Sequence, residues 1–117
     1  MQIGSNDIER SAEFYRSYFG FRNCGTESGI IFLRDSKSFL LAIRKLEAPI
    51  ELPPWLHMGV GLNDPQEVRN LYSRMKADGV RFSRDLDEGD GWVAFYCYDP
   101  GGHIVEVSWD RPDSKSC

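Results

Sequence analysis

An internal duplication restricts the folds open to this chain more than any other feature of the sequence. Residues 7–20 and 64–79 both begin with an aspartate, carry apolar residues at helical spacing and end with a glycine. An N-terminal aspartate and a C-terminal glycine are typical helix start and stop signals. A Phe-Tyr pair at 14–15 aligns with the Leu-Tyr pair at 71–72. The sequence therefore predicts two copies of one unit, each built around a single helix.

Alternating apolar and polar residues predict strands around each helix. The predicted strands are Met1–Ser5, Arg22–Glu27, Gly29–Arg34 and Ser38–Lys45 in the first copy, and Trp55–Leu62, Arg81–Arg84, Trp92–Tyr98 and His103–Trp109 in the second. Asp85–Gly91 is predicted to be an acidic hairpin loop. We therefore predict an α+β fold in which a βαβββ module is used twice.

These elements predict a single domain over residues 1–110. Its first module covers residues 1–46, a proline-rich linker covers 47–54, and the second module covers 55–110. Residues 111–117 are predicted to be a polar tail.

Composition excludes several classes of function. The chain has 117 residues and a formal net charge of −4, so it lacks the basic surface that nucleic acid or an anionic membrane requires. No apolar run reaches transmembrane length, and no signal peptide is recognisable, which predicts a cytoplasmic protein. Cys24, Cys97 and Cys117 lack zinc or redox spacing, and Cys97 is predicted to lie in the core.

The segment Asp99–Trp109 combines a tight turn with a strand that carries an unusual charge. Asp99-Pro100-Gly101-Gly102 has the composition of a turn, and Glu106 follows in mid-strand between two valines. A carboxylate at such a position requires solvent, a cation, a metal or hydrogen-bond donors. A solvated sheet face is the simplest interpretation, and a binding site is the alternative.

The chain resembles the vicinal oxygen chelate superfamily. The resemblance lies in Phe14-Tyr15 and Gly20-Phe21 after Asp7, and in Asp99-Pro100-x-Gly with Ile104-x-Glu106-Val107 near the end. This superfamily includes glyoxalase I, fosfomycin-resistance enzymes, extradiol dioxygenases, methylmalonyl-CoA epimerase and bleomycin-binding resistance proteins. The resemblance implies a glyoxalase/bleomycin-resistance-like fold, with a curled four-stranded mixed sheet in each module and a helix on its convex face. It also implies a homodimer whose sheets enclose clefts.

His57 and Glu106 are predicted to face the same side of the second sheet. Alternation in Trp55–Leu62 places His57 with Gly59 and Gly61, opposite an aliphatic set, and the two glycines leave space beside the imidazole. Imidazole and carboxylate suit Zn²⁺, Mn²⁺, Fe²⁺ or Ni²⁺. The resemblance likewise implies that both are metal ligands.

The first module does not supply matching ligands. Alignment of the two copies places the counterpart of His57 one position ahead of Met1, and Ala42 matches Glu106. Catalytic metal sites usually have three protein ligands, and only two stand at family positions. We therefore expect either a divalent metal or no cofactor. His103 lies on the core-facing register and is interpreted as structural.

The remaining predicted site residues would bind a small molecule. Trp55, Trp92, Tyr96, Tyr98 and Ser108 are predicted to line the cleft, although the aromatic residues would also fit a dimer interface or a core. The preferred function is binding of a small, aromatic molecule, and the negative net charge mildly favours cationic ligands such as bleomycin-type drugs. The alternative is a metal-dependent lyase, isomerase or transferase that uses His57 and Glu106. A dimeric scaffold without a ligand ranks last.

Overall fold

One order of elements, β-α-β-β-β, occurs twice along the chain in a computed structural model that describes residues 1–48, 51–53 and 55–112. The first copy contains β1 (Gln2–Ser5), α1 (Ile8–Phe19), β2 (Arg22–Glu27), β3 (Ile30–Arg34) and β4 (Leu40–Lys45). The second contains β5 (Met58–Gly61), α2 (Pro65–Ala77), β6 (Phe82–Gly89), β7 (Trp92–Tyr98) and β8 (Ile104–Asp110).

Each copy forms its own mixed sheet of four strands. The strand order is β1-β4-β3-β2 in the first sheet and β5-β8-β7-β6 in the second. In each sheet the first-listed pair is parallel and the other pairs are antiparallel. The predicted α+β fold of two βαβββ modules, each with a helix on its sheet, is confirmed.

The first compact unit consists of Met1–Leu52 together with the turn Asp99–His103. Helix α1 begins after Asp7, whose side chain accepts a hydrogen bond from the backbone N–H of Arg10. It ends at Gly20, which has a φ of 71° in the left-handed region where glycine has no Cβ penalty. The helix packs on β1, β3 and β4 and buries Ala12 and Tyr15 completely.

The second compact unit consists of Pro53–Tyr98 and the residues from Ile104 onward. Helix α2 packs on β7 and β8 and buries Val68 and Met75. Tyr72 contacts Phe95, with 5.4 Å between ring centroids. The sheet residues on this helix-covered face are fully or almost fully buried, namely Val93, Phe95, Cys97, Val105 and Val107. The opposite face of the sheet is therefore left to carry polar and aromatic side chains.

Two predicted boundaries in the second module are wrong. The strand predicted over Trp55–Leu62 is shorter, because β5 covers only Met58–Gly61 and Trp55 lies in a turn. The loop predicted over Asp85–Gly91 is mostly strand, since β6 pairs with β7 as far as Gly89 opposite Trp92. A Cβ at Gly89 would overlap the Trp92 indole, so glycine allows the pairing to continue to the end of the hairpin.

Parts of the predicted linker and tail, at 49–50, 54 and 113–117, lie outside the described residues, as does Cys117. Cys97 is buried as predicted, whereas Cys24 is exposed. Within the described ranges, no helix combines the length and the apolar character needed to cross a membrane. The predicted domain boundaries stay a prediction.

Candidate functional site

An open cleft lies on the face of the second sheet that α2 does not cover. Its volume is about 400 Å³, and β6, β7 and β8 supply its floor. Strand register explains which residues meet there, because Glu106 pairs with Tyr96 on one side and with Gly59 on the other. In the next row, Ser108 pairs with Ala94 and with Gly61. Residues that pair directly across neighbouring strands point to the same face of a sheet. Because these pairings contain no bulge, both sets of paired residues lie on the cleft face.

His57 and Glu106 are brought together beside this cleft, and Glu106 belongs to its lining whereas His57 does not. Their side-chain atoms Nε2 and Oε1 are 2.9 Å apart, within hydrogen-bond distance. The two side chains are 26% and 28% exposed, so both remain accessible to a small molecule. The imidazole also meets the Tyr96 ring edge-on, with 5.1 Å between centroids. His57 therefore has a defined position although it precedes β5.

The glycines beside this pair leave open space, as the sequence indicated. A Cβ built at Gly59 or at Gly61 would have no atom within 4 Å apart from its chain neighbours. Gly59 pairs with Glu106, so the surface next to the carboxylate is free of side chains from β5.

The His57–Glu106 pair fits part of a metal site. Two donors bound to one octahedral ion at about 2.1 Å stand about 3.0 Å apart, close to the separation seen here. No third histidine, cysteine, aspartate or glutamate completes a metal-ligating group among the residues that the structure describes. The donor set is therefore one ligand short of the three that catalytic sites usually have.

Three of the predicted ligand-binding residues line the cleft, and two do not. Trp92, Tyr96 and Ser108 belong to its lining. Tyr98 lies outside it and carries the Arg81 guanidinium over its ring at 4.5 Å from the centroid. Trp55 is 76% exposed and also lies outside the lining.

Sequence reasoning missed a set of charged residues in the cleft. These residues are Arg84, Asp85, Asp87, Asp90 and Asp110. The first four belong to β6 or its turn, which were assigned to the end of a strand and a loop. Register shifts on both sides of Arg84 break the alternation, so the simple pattern could not sort these residues by face. The sequence did contain a signal for this strand, because Asp90-Gly91 is a dipeptide typical of two-residue hairpin turns. A turn at these two residues predicts that β6 continues as far as Gly89.

The sheet of the first unit pairs its strands in the same register as the second, but Ala42 stands at the position that matches Glu106. Ala42 pairs with Phe32 and with Gln2, as Glu106 pairs with Tyr96 and with Gly59. The matching position in this sheet is thus apolar, and Ala42 is only 8% exposed.

His103 takes part in backbone hydrogen bonding in the first unit. Its Nε2 lies 3.1 Å from the carbonyl oxygen of Gly4 and 3.3 Å from the Gly4 nitrogen, and the tautomer decides which bond forms. This contact agrees with its interpretation as a structural residue.

Comparison with known proteins identifies the family. The model of the Glyoxalase/Bleomycin resistance protein/Dioxygenase superfamily matches residues 1–107. The chain belongs to this superfamily. The predicted resemblance is therefore confirmed over nearly the whole sequence. No curated protein matches the chain significantly.

Solved structures agree with this membership. A possible glyoxalase from Bacillus cereus is 26% identical, with a TM-score of 0.79 and coverage of 92% of this chain and 93% of that one. The fosfomycin resistance protein FosX from Listeria monocytogenes is 19% identical, with a TM-score of 0.82 and coverage of 97% and 92%. An E126Q mutant of that FosX, solved with Mn(II) and a dihydroxypropylphosphonic acid, is 16% identical, with a TM-score of 0.77 and coverage of 91% and 83%. The likeness to FosX concerns the fold alone.

Proposed function

We propose that this superfamily member binds a small, aromatic molecule in the cleft of its second unit. The observation that carries the proposal is an open cleft of about 400 Å³ in which Trp92 and Tyr96 stand beside polar groups. Ligand sites in proteins typically combine a concave surface of this size with aromatic walls and a few polar groups. Offset or edge-to-face contacts with two such rings contribute about 1 kcal/mol each beyond the area that they bury.

The polar groups of the cleft would fix the orientation of the ligand. Glu106 accepts hydrogen bonds, and Ser108 can donate or accept one. Both line the cleft, and a Cβ built at Gly59 or Gly61 on the neighbouring strand would meet no atom within 4 Å. The arrangement favours a flat molecule that lies on Tyr96 and directs a hydrogen-bond donor towards Glu106.

Equilibrium dialysis against naphthalenemethanol, an uncharged aromatic probe, tests the proposal. We expect saturable binding, and we expect Ala94→Trp to weaken it at least tenfold, because the new indole would fill the cleft. Glu9→Trp is the control, since it adds the same indole at an exposed position of α1 outside the lining, and it should leave binding unchanged. Binding that survives Ala94→Trp, or that is lost in Glu9→Trp, would place the site elsewhere.

A second function, metal-dependent catalysis, is favoured by one observation, the 2.9 Å separation of His57 Nε2 and Glu106 Oε1. A divalent ion on this pair would act as a Lewis acid on substrate oxygens. His57 and Glu106 would each supply one ligand, and Tyr96 would hold the imidazole at its present angle. With a metal ion bound there, the protein would catalyse a lyase, isomerase or transferase reaction and would not be the metal-free binding protein proposed above.

Calorimetric titration with Mn²⁺ and Zn²⁺ separates the two functions. The binding function predicts no stoichiometric metal binding that depends on His57. Stoichiometric binding that disappears in His57→Ala, and that persists in the matched cleft variant Asp87→Asn, would replace the binding function by the metal-dependent one.

We also propose that the protein is a cytoplasmic homodimer. Trp55 and the neighbouring Leu56 are 76% and 46% exposed, and large exposed apolar residues are typical of surfaces that a partner covers. Light scattering at micromolar concentration should give the mass of two chains, and Trp55→Glu should lower it. A monomeric mass for the unaltered protein contradicts this proposal.

A further inference from the structure

We infer that the Arg84 side chain is a gate, which covers the Tyr96 ring in the ligand-free protein and moves aside when a ligand enters the cleft. The inference rests on the proposed binding function and names the residue that controls access to the aromatic wall. Arg84 and Tyr96 both belong to the lining of that cleft.

The Arg84 guanidinium occupies a surface that an aromatic ligand needs. Its carbon atom Cζ lies over the Tyr96 ring, 5.8 Å from the centroid, which is within the range of a cation–π contact. A flat ligand that packs on Tyr96 has its own ring atoms at about 3.5–4 Å from that face. The guanidinium and the ligand therefore exclude each other from this face of the ring.

Of the two groups that contact the Tyr96 ring, Arg84 is held more weakly. His57 meets the ring with 5.1 Å between centroids, and its Nε2 also lies 2.9 Å from Oε1 of Glu106. Among the residues that the structure describes, Arg84 makes the ring contact alone, without a hydrogen bond or an ion pair. An exposed cation–π contact changes an equilibrium by only a few-fold. A ligand can therefore displace Arg84 with a small loss of affinity, whereas His57 stays in place.

The backbone around Arg84 is suited to such a movement. Strand β6 is the outermost strand of its sheet, so Arg84 has a neighbouring strand on one side only. The register with β7 shifts twice, between Phe82 and Arg84 and again between Arg84 and Asp87. Each shift leaves an extra residue of β6 without a partner and interrupts the ladder of backbone hydrogen bonds. The side chain of Arg84 can therefore change position without disturbing the pairing of β7 with β8.

Asp87 offers the guanidinium a second position. It pairs with Ala94, the next cleft-facing residue of β7 after Tyr96, so Arg84 and Asp87 lie on the same face of β6. Oδ1 of Asp87 accepts a hydrogen bond from the backbone N–H of Glu88 at 2.9 Å, which is a neutral donor and leaves the negative charge in place. The gate thus has a closed position on Tyr96 and an open position beside Asp87.

Equilibrium dialysis of the full chain against naphthalenemethanol, an uncharged probe, measures the effect of the gate on affinity. Arg84→Gln removes the guanidinium and should strengthen binding by about two- to fivefold, the range expected of an exposed cation–π contact. Arg81→Gln is the matched control, because it removes the same charge and a guanidinium that lies 4.5 Å from the Tyr98 ring centroid, outside the lining. This control should leave binding unchanged.

The NMR signal of the Arg84 Nε–H group follows the position of the gate, and it is assigned by its loss in Arg84→Gln. The ring current of Tyr96 should shift this proton upfield in the ligand-free protein. Saturation with naphthalenemethanol should return the signal towards the position of an exposed arginine. The Nε–H signal of Arg81, which lies over Tyr98, should not move.

A double-mutant cycle tests the open position. Asp87→Asn should weaken binding of naphthalenemethanol by up to about threefold, because the displaced guanidinium loses its carboxylate partner. The same substitution in the Arg84→Gln background should have no effect, since that background has no guanidinium to place.

The outcomes distinguish this inference from the function on which it rests. Weaker binding in Arg84→Gln would show that the guanidinium holds the ligand, and unchanged binding would show that it does not gate the cleft. Either result overturns the inference and keeps the aromatic cleft, as does an Arg84 Nε–H signal that stays in place on saturation. If neither the unaltered chain nor Arg84→Gln binds the probe, both the inference and the proposed function are overturned.

Discussion

Tyr15 and Asp99 form a buried polar contact between side chains that lie far apart in the sequence. The Tyr15 hydroxyl donates to Oδ2 of Asp99 at 2.6 Å, and the two residues are 0% and 4% exposed. Oδ1 of Asp99 accepts hydrogen bonds from the backbone N–H groups of Gly101 and His103. The carboxylate therefore organises the turn Asp99–His103 and attaches it to α1 inside the first unit.

Removal of the Tyr15 hydroxyl tests this contact. Tyr15→Phe should lower the free energy of unfolding by roughly 1–3 kcal/mol, because a buried carboxylate loses a donor without gaining water. Tyr72→Phe is the matched control, since its hydroxyl donates to Asp85 at an exposed site, and it should cost no more than about 0.5 kcal/mol. Urea unfolding measures the free energy of unfolding of both variants. If the two variants lose the same free energy, burial does not explain the contribution of the Tyr15 hydrogen bond to stability.

At the scale of elements, an ion pair joins helix α2 to strand β6. Arg69 donates two hydrogen bonds to the carboxylate of Glu88, at 3.0 and 2.7 Å. The hydrogen bonds from Arg69 are the main cause that lowers the pKa of Glu88, and desolvation opposes them. The same contact raises the pKa of Arg69. The side chains are 38% and 42% exposed, so solvent and salt screen the pair.

The direction of the Glu88 shift predicts a pH dependence. A carboxyl group with a lowered pKa in the folded state stabilises the protein above its unfolded pKa, which is about 4.3 for glutamate. That contribution is lost as the pH falls through the lower folded pKa. Glu88→Gln should therefore lower Tm by a few degrees at neutral pH and by less as the pH drops below about 4.3. A difference in Tm that is constant over this range, or that grows on acidification, contradicts the assignment.

The end of helix α1 provides a second test at this scale. Gly20→Ala should cost roughly 1–2 kcal/mol, because an alanine at a φ of 71° places its Cβ too close to the following carbonyl oxygen. Gly59→Ala is the control. A new Cβ would meet no atom within 4 Å at Gly20 or at Gly59, and of these two glycines Gly20 is the one with a positive φ. Chemical denaturation should show a loss for Gly20→Ala alone. Similar losses in both variants would mean that the backbone angle is not the cause.

At the scale of the whole molecule, the sequence predicted the fold because its signals are local and occur twice. Two capped helices and two hairpins specify the βαβββ order without knowledge of tertiary contacts. The register of β7 and β8 has no bulge, so alternation also predicted that Tyr96 and Glu106 share a face.

In β6, register shifts beside Arg84 interrupt alternation, and the acidic side of the cleft could not be predicted. Trp55 was misplaced because β5 begins three residues later than its pattern suggests.

The two units place different side chains at matching positions of one scaffold. The first places Ala42 and Phe32 where the second places Glu106 and Tyr96. The His57–Glu106 pair and the described cleft belong to the second unit, which is why ligand binding is proposed for that unit.

The most direct test of the proposed binding site is an NMR titration of the uniformly ¹⁵N-labelled full chain with naphthalenemethanol. We expect saturable shifts of the Trp92 indole N–H and of the backbone amides of Ala94, Tyr96 and Ser108, with the amides of α1 unaffected. Shifts confined to the first unit or to Trp55, or shifts that never saturate, would contradict the claim that this cleft is the binding site.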